Sequence, residues 1–223
     1  MTPLSRNQIA WRAAQDLREG WYVNLGMGMP VLAANYAPKD ADIMFQSENG
    51  IVGVGPVAVP GTEDLDYVDA GSQKITLREG ASLVDSAMAF AMIRGGHIDV
   101  TMLGGFQVAS NGDLANWDAM IPNKGPLVGG AMDLAVGAKS VWIVMAHRTR
   151  EGEPRLVQQC VYPVTGVGVV DRVYTDLAVI EVTSQGFLVR EIVEGLSREE
   201  LQDCTAAPLA FAPDCAVIEA PAL

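Results

Sequence analysis

The sequence predicts an α/β protein: one domain spanning residues 1–223, with an open, mixed, mainly parallel sheet and flanking helices. Three observations lead there. Trp21 to Gln46 runs strand, glycine turn, apolar helix, strand, which is the pattern of a parallel βαβ unit. The alternation returns downstream, between Lys74 and Leu103 and again between Gly129 and Ala146. A composition of 49% hydrophobic and 19% charged residues over 223 positions suits one globular domain with a sizeable core.

The elements follow in order. Ser5 to Glu19 carries Ile9, Ala13 and Leu17 on one helical face, with Ser5 and Gln8 spaced as a capping box and Gly20 as a stop. Trp21–Leu25 reads as a strand. Gly26-Met27-Gly28-Met29-Pro30 leads into an apolar helix reaching about Tyr36, because proline suits a first helical turn. Asp42–Gln46 is the next strand. Lys74–Leu77 is strand-like, Ser82–Ile93 helical, and Ile98–Leu103 a strand. Gly129-Gly130 precedes a helix through Val136, and Ser140–Ala146 is an apolar strand. Leu177–Val182 and Phe187–Val193 flank a Ser184-Gln185-Gly186 turn, and Ser197 with Glu200 caps a last short helix. There is no internal repeat, low-complexity tract or linker-like stretch.

Composition also excludes. The net charge of −12, from 27 acidic and 15 basic residues, argues against nucleic acid, whose phosphates need clustered Lys and Arg. The first eight residues have no apolar leader core, and no run approaches the roughly 18–20 apolar residues of a membrane helix. A soluble, cytoplasmic protein with no membrane partner is expected. Cys160, Cys204 and Cys215 lack CxxC or zinc-ligand spacing and read as reduced structural thiols, so no metal site is expected. His97 and His147 are the two histidines, each at a junction where a structural role suffices.

Three stretches could carry chemistry. The Gly26-Met27-Gly28 turn exposes backbone N–H groups, but it lacks the third glycine of a dinucleotide fingerprint and the GK[ST] of a P-loop. Gly129-Gly130 offers free N–H groups at a helix start, useful to an oxyanion, and is equally a tight loop entry. In Gln46-Ser47-Glu48-Asn49-Gly50 a carboxylate stands between two buried-looking runs. Glutamate is ordinarily ionised at neutral pH, so it attacks an acyl carbon without a general base, giving a mixed anhydride. A plain surface turn fits the same residues.

Ser47-Glu48-Asn49-Gly50, continued by Gly53-x-Gly55-Pro56, closely resembles the B-subunit signature of family I 3-oxoacid CoA-transferases. Phe90 to His97, Gly112-Asp113-Leu114-Ala115-Asn116-Trp117 and Gly129 to Leu134 look like further blocks of that family. So do Tyr162 to Gly166 and Tyr174 to Val179, and the likeness runs from about residue 5 to 205.

The resemblance implies the CoA-transferase and sugar-phosphate-isomerase-like fold and an acyl-CoA:carboxylate exchange. Glu48 would be the catalytic nucleophile, passing through an acyl-glutamyl anhydride and a glutamyl-CoA thioester. Gly129 and Gly130 match the oxyanion stretch, and Asn24 matches a residue contacting bound thioester. Gly26, Gly28 and Asn49 would line the same cleft. The resemblance further implies no permanently bound cofactor, with a coenzyme A thioester as substrate. It implies an A (alpha) subunit as partner, usually in an α2β2 assembly, without which this chain would be inert. Relatives commonly carry lysine where this chain has Ser72, and Lys74, on the same face of an extended segment about 7 Å away, is the expected substitute near CoA. The Cys160 to Pro163 and Arg172 to Asp176 stretches look most like 3-oxoadipate enzymes with succinyl-CoA as donor. Acetoacetate is the alternative acceptor. Acyl-CoA hydrolysis is a further alternative, and so is a non-catalytic small-molecule-binding module of the same fold.

Overall fold

The structure is a computed structural model that describes residues 1–38, 40–122 and 125–223. Helix α1 (Arg6–Ala14) opens on the expected capping box, the Gln8 amide donating to Ser5 Oγ at 3.2 Å and the Ser5 amide to Gln8 Oε1 at 2.9 Å. It stops short of Glu19. The amides of Asp16 and Leu17 bond three residues back, to Ala13 and Ala14, which tightens the chain before Gly20 at φ +78°. Strand β1 (Tyr22–Leu25) follows as expected. Pro30–Asn35 then forms a 3₁₀ helix in place of the expected α-helix; six residues without a side-chain cap are too few to repay α-helical nucleation.

Strand β2 (Met44–Ser47) pairs with β3 (Ile51–Val57), and β3 with β4 (Ile75–Leu83), as an antiparallel arm. Helix α2 (Ser86–Arg94) begins four residues later than the sequence suggested. Asp85 caps it, accepting from the Met88 amide at 2.7 Å, while Ser82 and Leu83 stay in β4. Next come β5 (Val100–Leu103), β6 (Gln107–Ala109), β7 (Leu114–Ala115), α3 (Ala131–Gly137), β8 (Val141–Val144) and β9 (Leu156–Val157). After these are β10 (Arg172–Tyr174), β11 (Ala178–Thr183), β12 (Gly186–Val193), α4 (Arg198–Asp203) and β13 (Leu209–Ile218). The Ser197–Glu200 capping box of α4 is present.

Among the described residues, ten strands join one sheet in the order β13-β12-β11-β10-β8-β5-β1-β2-β3-β4, and β7-β6-β9 make a small second sheet. The central strands β10, β8, β5, β1 and β2 of the large sheet are mutually parallel, whereas β3, β4 and β11 pair antiparallel. From β1 the chain places β2 on one side, then returns to place β5, β8 and β10 on the other. Strand order therefore reverses between β1 and β5. In open α/β sheets the crevice beyond the carboxyl ends of strands at such a reversal is where ligands sit.

Each face of the sheet has its own core. Val23, Phe45, Val100, Met102, Trp142 and Tyr174 pack against α1 and the 3₁₀ helix. Leu103, Val141, Ile143 and Val173 pack with Ile93 of α2 and Leu134 of α3 on the opposite face.

Candidate active site

Glu48 stands at the carboxyl end of β2, beside the reversal. The turn that holds it is closed by the Gly50 amide donating to the Ser47 carbonyl at 3.0 Å. Gly50 has φ +121°, and a Cβ there would lie 2.1 Å from the Val84 carbonyl oxygen, so only glycine fits. Its own carbonyl accepts from the Val84 amide at 2.9 Å, which ties the turn to the end of β4 and the start of α2. On the other side, Ser47 Oγ accepts from the Ala70 amide at 2.9 Å and Asn49 Nδ2 donates to the Val68 carbonyl at 2.8 Å. The turn is thus clamped from two directions, and the Asn49 side chain is one of the clamps.

The glutamate itself is half-buried, and its Oε2 accepts from Asn24 Nδ2 at 3.0 Å. The same nitrogen donates to Gln46 Oε1 at 2.8 Å and reaches the Gln46 carbonyl at 3.2 Å. Register explains the meeting. Asn24 of β1 lies opposite Gln46 of β2 and Thr101 of β5, so the three side chains share one face and one level of the sheet. All three are buried, yet Asn24 Oδ1, Gln46 Nε2 and Thr101 Oγ1 have no hydrogen-bond partner among the described residues. Parallel strands covered on both faces are normally apolar throughout. Each unpaired buried polar atom costs roughly 1–3 kcal/mol. Stability alone does not account for such a row beneath a carboxylate.

The sequence-expected residues converge only in part. Gly130 caps α3 against the glutamate: a Cβ there would lie 3.9 Å from Glu48 Cγ and 2.8 Å from the Phe90 ring, so its absence lets the backbone approach. Gly129 precedes it, exposed. The Gly26 amide donates to the Met102 carbonyl at 2.8 Å, joining β1 to β5 at the reversal. Gly28, at φ +90°, lines a groove of about 760 Å³ with Met27, Leu32, Phe45, Val54 and Ala70. Gln46 and Ser47 line this groove and Glu48 does not. Among the described residues lining the groove the one cation is Arg78, whose guanidinium is spent on Asp42 at 2.9 Å and on the Ile43 carbonyl.

Lys74 lies apart, its ammonium donating to the Leu65 carbonyl at 2.8 Å. The segment before it is a turn, not the extended run expected. Asp69 Oδ1 accepts from the amides of Gly71 and Gln73, each at 2.8 Å, and Ser72 is exposed at φ +64°. His97 is exposed where α2 ends. His147 is buried between Thr175 and Thr205, 3.0 and 2.8 Å from its two ring nitrogens, and loss of solvation with the nearby Arg148 charge lowers its pKa to about 4. Among the described residues neither histidine hydrogen-bonds to Glu48, Asn24 or Gln46. The three cysteines are free, and among the described residues no group of His, Cys, Asp and Glu side chains could hold a metal ion. No helix among them is long and apolar enough to cross a membrane. Gln46 and Thr101 were not singled out from sequence. Their signal was a polar residue interrupting an otherwise apolar strand.

The family model for coenzyme A transferases matches residues 6–203. The chain is 52% identical over 206 residues to the B subunit of 3-oxoadipate CoA-transferase from Acinetobacter baylyi, covering 92% of this chain and 95% of that one. It is 48% identical over 205 residues to the B subunit of succinyl-CoA:3-ketoacid coenzyme A transferase from Helicobacter pylori, covering 91% and 97%. In fold it is similar to an acyl-CoA transferase of Escherichia coli O157:H7, solved as a thioester complex with CoA. That match has a TM-score of 0.77 at 19% identity and covers 98% of this chain and 43% of the other.

Proposed function

Starting from a chain that belongs to the coenzyme A transferase family and is a CoA-transferase of the B-subunit type, we propose that it moves CoA from succinyl-CoA to 3-oxoadipate through covalent intermediates on Glu48. The observation that carries this reading is the hydrogen bond from Asn24 to Glu48 Oε2, with the Gly130 backbone against the same side chain. A carboxylate held by one neutral donor, at the carboxyl ends of parallel strands beside a strand reversal, is oriented without being neutralised.

The steps proposed are those that the family resemblance implies. One oxygen of Glu48 adds to the thioester carbonyl, and backbone N–H groups of the Gly129-Gly130 stretch face the developing oxyanion. Collapse expels CoA thiolate and leaves an acyl-glutamyl anhydride. The thiolate then adds to the Glu48 carbonyl carbon, the bond from that carbon to the bridging oxygen breaks, and succinate departs with that oxygen, leaving a glutamyl-CoA thioester. The acceptor carboxylate reverses both steps. Asn24 Nδ2 holds the retained oxygen throughout. No step calls on a histidine, because a carboxylate attacks without a general base.

An A subunit completes the enzyme, in the α2β2 form usual for the family. The relatives are B subunits by name, and large apolar side chains stand exposed on elements flanking Glu48: Leu83, Met88, Val128 and Met132. A chain of net charge −12 also needs cations from elsewhere to receive the phosphates of CoA. Lys74 would have to leave the Leu65 carbonyl to supply one. Acetoacetate is the second reading for the acceptor, favoured by the 48% identity to part of a succinyl-CoA:3-ketoacid enzyme.

The test is turnover of succinyl-CoA with each acid, by the chain alone and with its co-expressed A subunit. The proposal expects no turnover by the chain alone and, with the A subunit, a kcat/KM for 3-oxoadipate at least roughly tenfold above acetoacetate. Equal turnover without an acceptor would mean hydrolysis, and turnover by the chain alone would refute the two-subunit requirement.

A further inference from the structure

The polar row under Glu48 distinguishes its two carboxylate oxygens. Oε2 is bound to Asn24 Nδ2 at 3.0 Å, and among the described residues no hydrogen bond reaches Oε1. A carboxylate oxygen only accepts, so the nitrogen of the Asn24 amide must face it. That nitrogen has two protons. One goes to Glu48, and the other is taken by Gln46 Oε1 at 2.8 Å, with the Gln46 carbonyl at 3.2 Å behind it. Gln46 therefore fixes the plane of the Asn24 amide, and through it the plane of the Glu48 carboxylate. Both amides are buried, Asn24 completely, so neither has room to turn toward water. The leftover Asn24 Oδ1 and Gln46 Nε2 find no partner among the described residues. The row thus satisfies the one contact that points at Glu48 and leaves the others open.

We infer that Gln46 is a positioning residue that locks the Glu48 carboxylate in one orientation, so that Oε1 always attacks and Oε2 is never exchanged. This rests on the covalent reading of Glu48. When Oε1 forms the anhydride and thiolate attacks the Glu48 carbonyl carbon, the Cδ–Oε1 bond breaks. Oε1 leaves within the departing carboxylate, and Oε2 remains as the thioester carbonyl oxygen, still bound to Asn24. The incoming carboxylate adds to that carbon and expels thiolate. The thiolate next takes the acyl group, and one oxygen of the incoming acid stays behind as the new Oε1. Each cycle replaces one oxygen of Glu48. A carboxylate free to flip between cycles would in time lose both.

The experiment uses the complex of this chain with its A subunit, cycling succinyl-CoA against excess succinate whose carboxylates carry heavy oxygen. The Glu48 peptide is then weighed by mass spectrometry. The native complex is expected to accumulate one heavy oxygen at Glu48 and no more, however many turnovers pass. Gln46→Met, which keeps the volume and removes the acceptor, is expected to admit the second heavy oxygen, with kcat lower by roughly 10- to 100-fold. Thr101→Val removes a hydroxyl of the same buried row that hydrogen-bonds to neither Asn24 nor Glu48, and is expected to keep the single label.

Two heavy oxygens in the native complex would overturn the lock while leaving the covalent reading intact. A single label in Gln46→Met with unchanged kcat would strip Gln46 of its positioning role. A second label in Thr101→Val would reduce the effect to general loosening of the core and overturn the assignment. No label in a complex that still exchanges succinate would overturn the covalent reading, and the lock with it.

Discussion

Asp16 and Glu48 are both half-buried carboxylates beside the same sheet, and they are held in opposite ways. Asp16 meets Arg12 Nη1 at 2.9 Å, Arg172 Nη1 at 2.7 Å and the Tyr174 hydroxyl at 2.6 Å. Burial would raise its pKa, but the Tyr174 and Arg12 hydrogen bonds and the two guanidinium charges outweigh that and lower it. Glu48 meets one neutral amide at 3.0 Å. A carboxylate ringed by cations has its lone pairs spoken for and serves as a structural anion. One aimed by a single uncharged donor keeps an oxygen free to attack. Composition puts both residues in the same class, and only their partners separate a structural anion from the proposed nucleophile.

The contrast is sharpest at Glu48. Glu48→Gln, in the assembled complex, is expected to lower CoA transfer on the order of 10⁴-fold or more while acyl-CoA binding, read by calorimetry, survives. Retained turnover would place the chemistry elsewhere. At Asp16 the expected effect moves from activity to stability. Asp16→Asn leaves Arg12 and Arg172 short of a partner and should lower the unfolding free energy by about 1–3 kcal/mol, discounted for the partial exposure of these ion pairs. Transfer per folded complex should stay within about twofold. The sign with pH follows from the lowered pKa. The unfolded chain binds the proton first as pH falls, so the Asp16 contribution is present above the ordinary carboxylate range and lost on acidification through the folded value. Urea unfolding at neutral pH and below pH ~4 should therefore show native and Asp16→Asn chains converging in acid. The smallest effect is expected at Lys74. With its ammonium bound to the Leu65 carbonyl, Lys74→Ala should raise KM for succinyl-CoA by no more than about twofold. A tenfold rise would mean that the ammonium swings over to CoA phosphate.

Much of the scaffold was legible because its signals are local. The capping boxes at Ser5 and Ser197 and the parallel strands β1, β2, β5 and β8 lie where spacing and apolar runs put them, give or take the ends. Strand β3 was harder, since Gly53, Gly55 and Pro56 break its pattern. They are there because the strand is irregular: a Cβ at Gly53 would come within 2.9 Å of Ala81, and pairing with β4 shifts register on both sides of Val54. Strand β13 has no clean alternation either, and it pairs with β12 across a register shift. At the site, Glu48 and Gly130 were visible as motif residues, and the fold brings them side by side. Gln46 was not. The positioning role proposed for it depends on lying opposite Asn24, 22 positions away in sequence, a relation that only strand register creates.

The most direct measurement is peptide mass spectrometry of this chain, in complex with its A subunit, after incubation with succinyl-CoA and no acceptor. A CoA-sized adduct on the peptide holding Glu48, discharged on adding 3-oxoadipate and absent from Glu48→Gln, is the result predicted. A complex that binds the thioester and leaves that peptide unmodified would contradict the covalent role of Glu48.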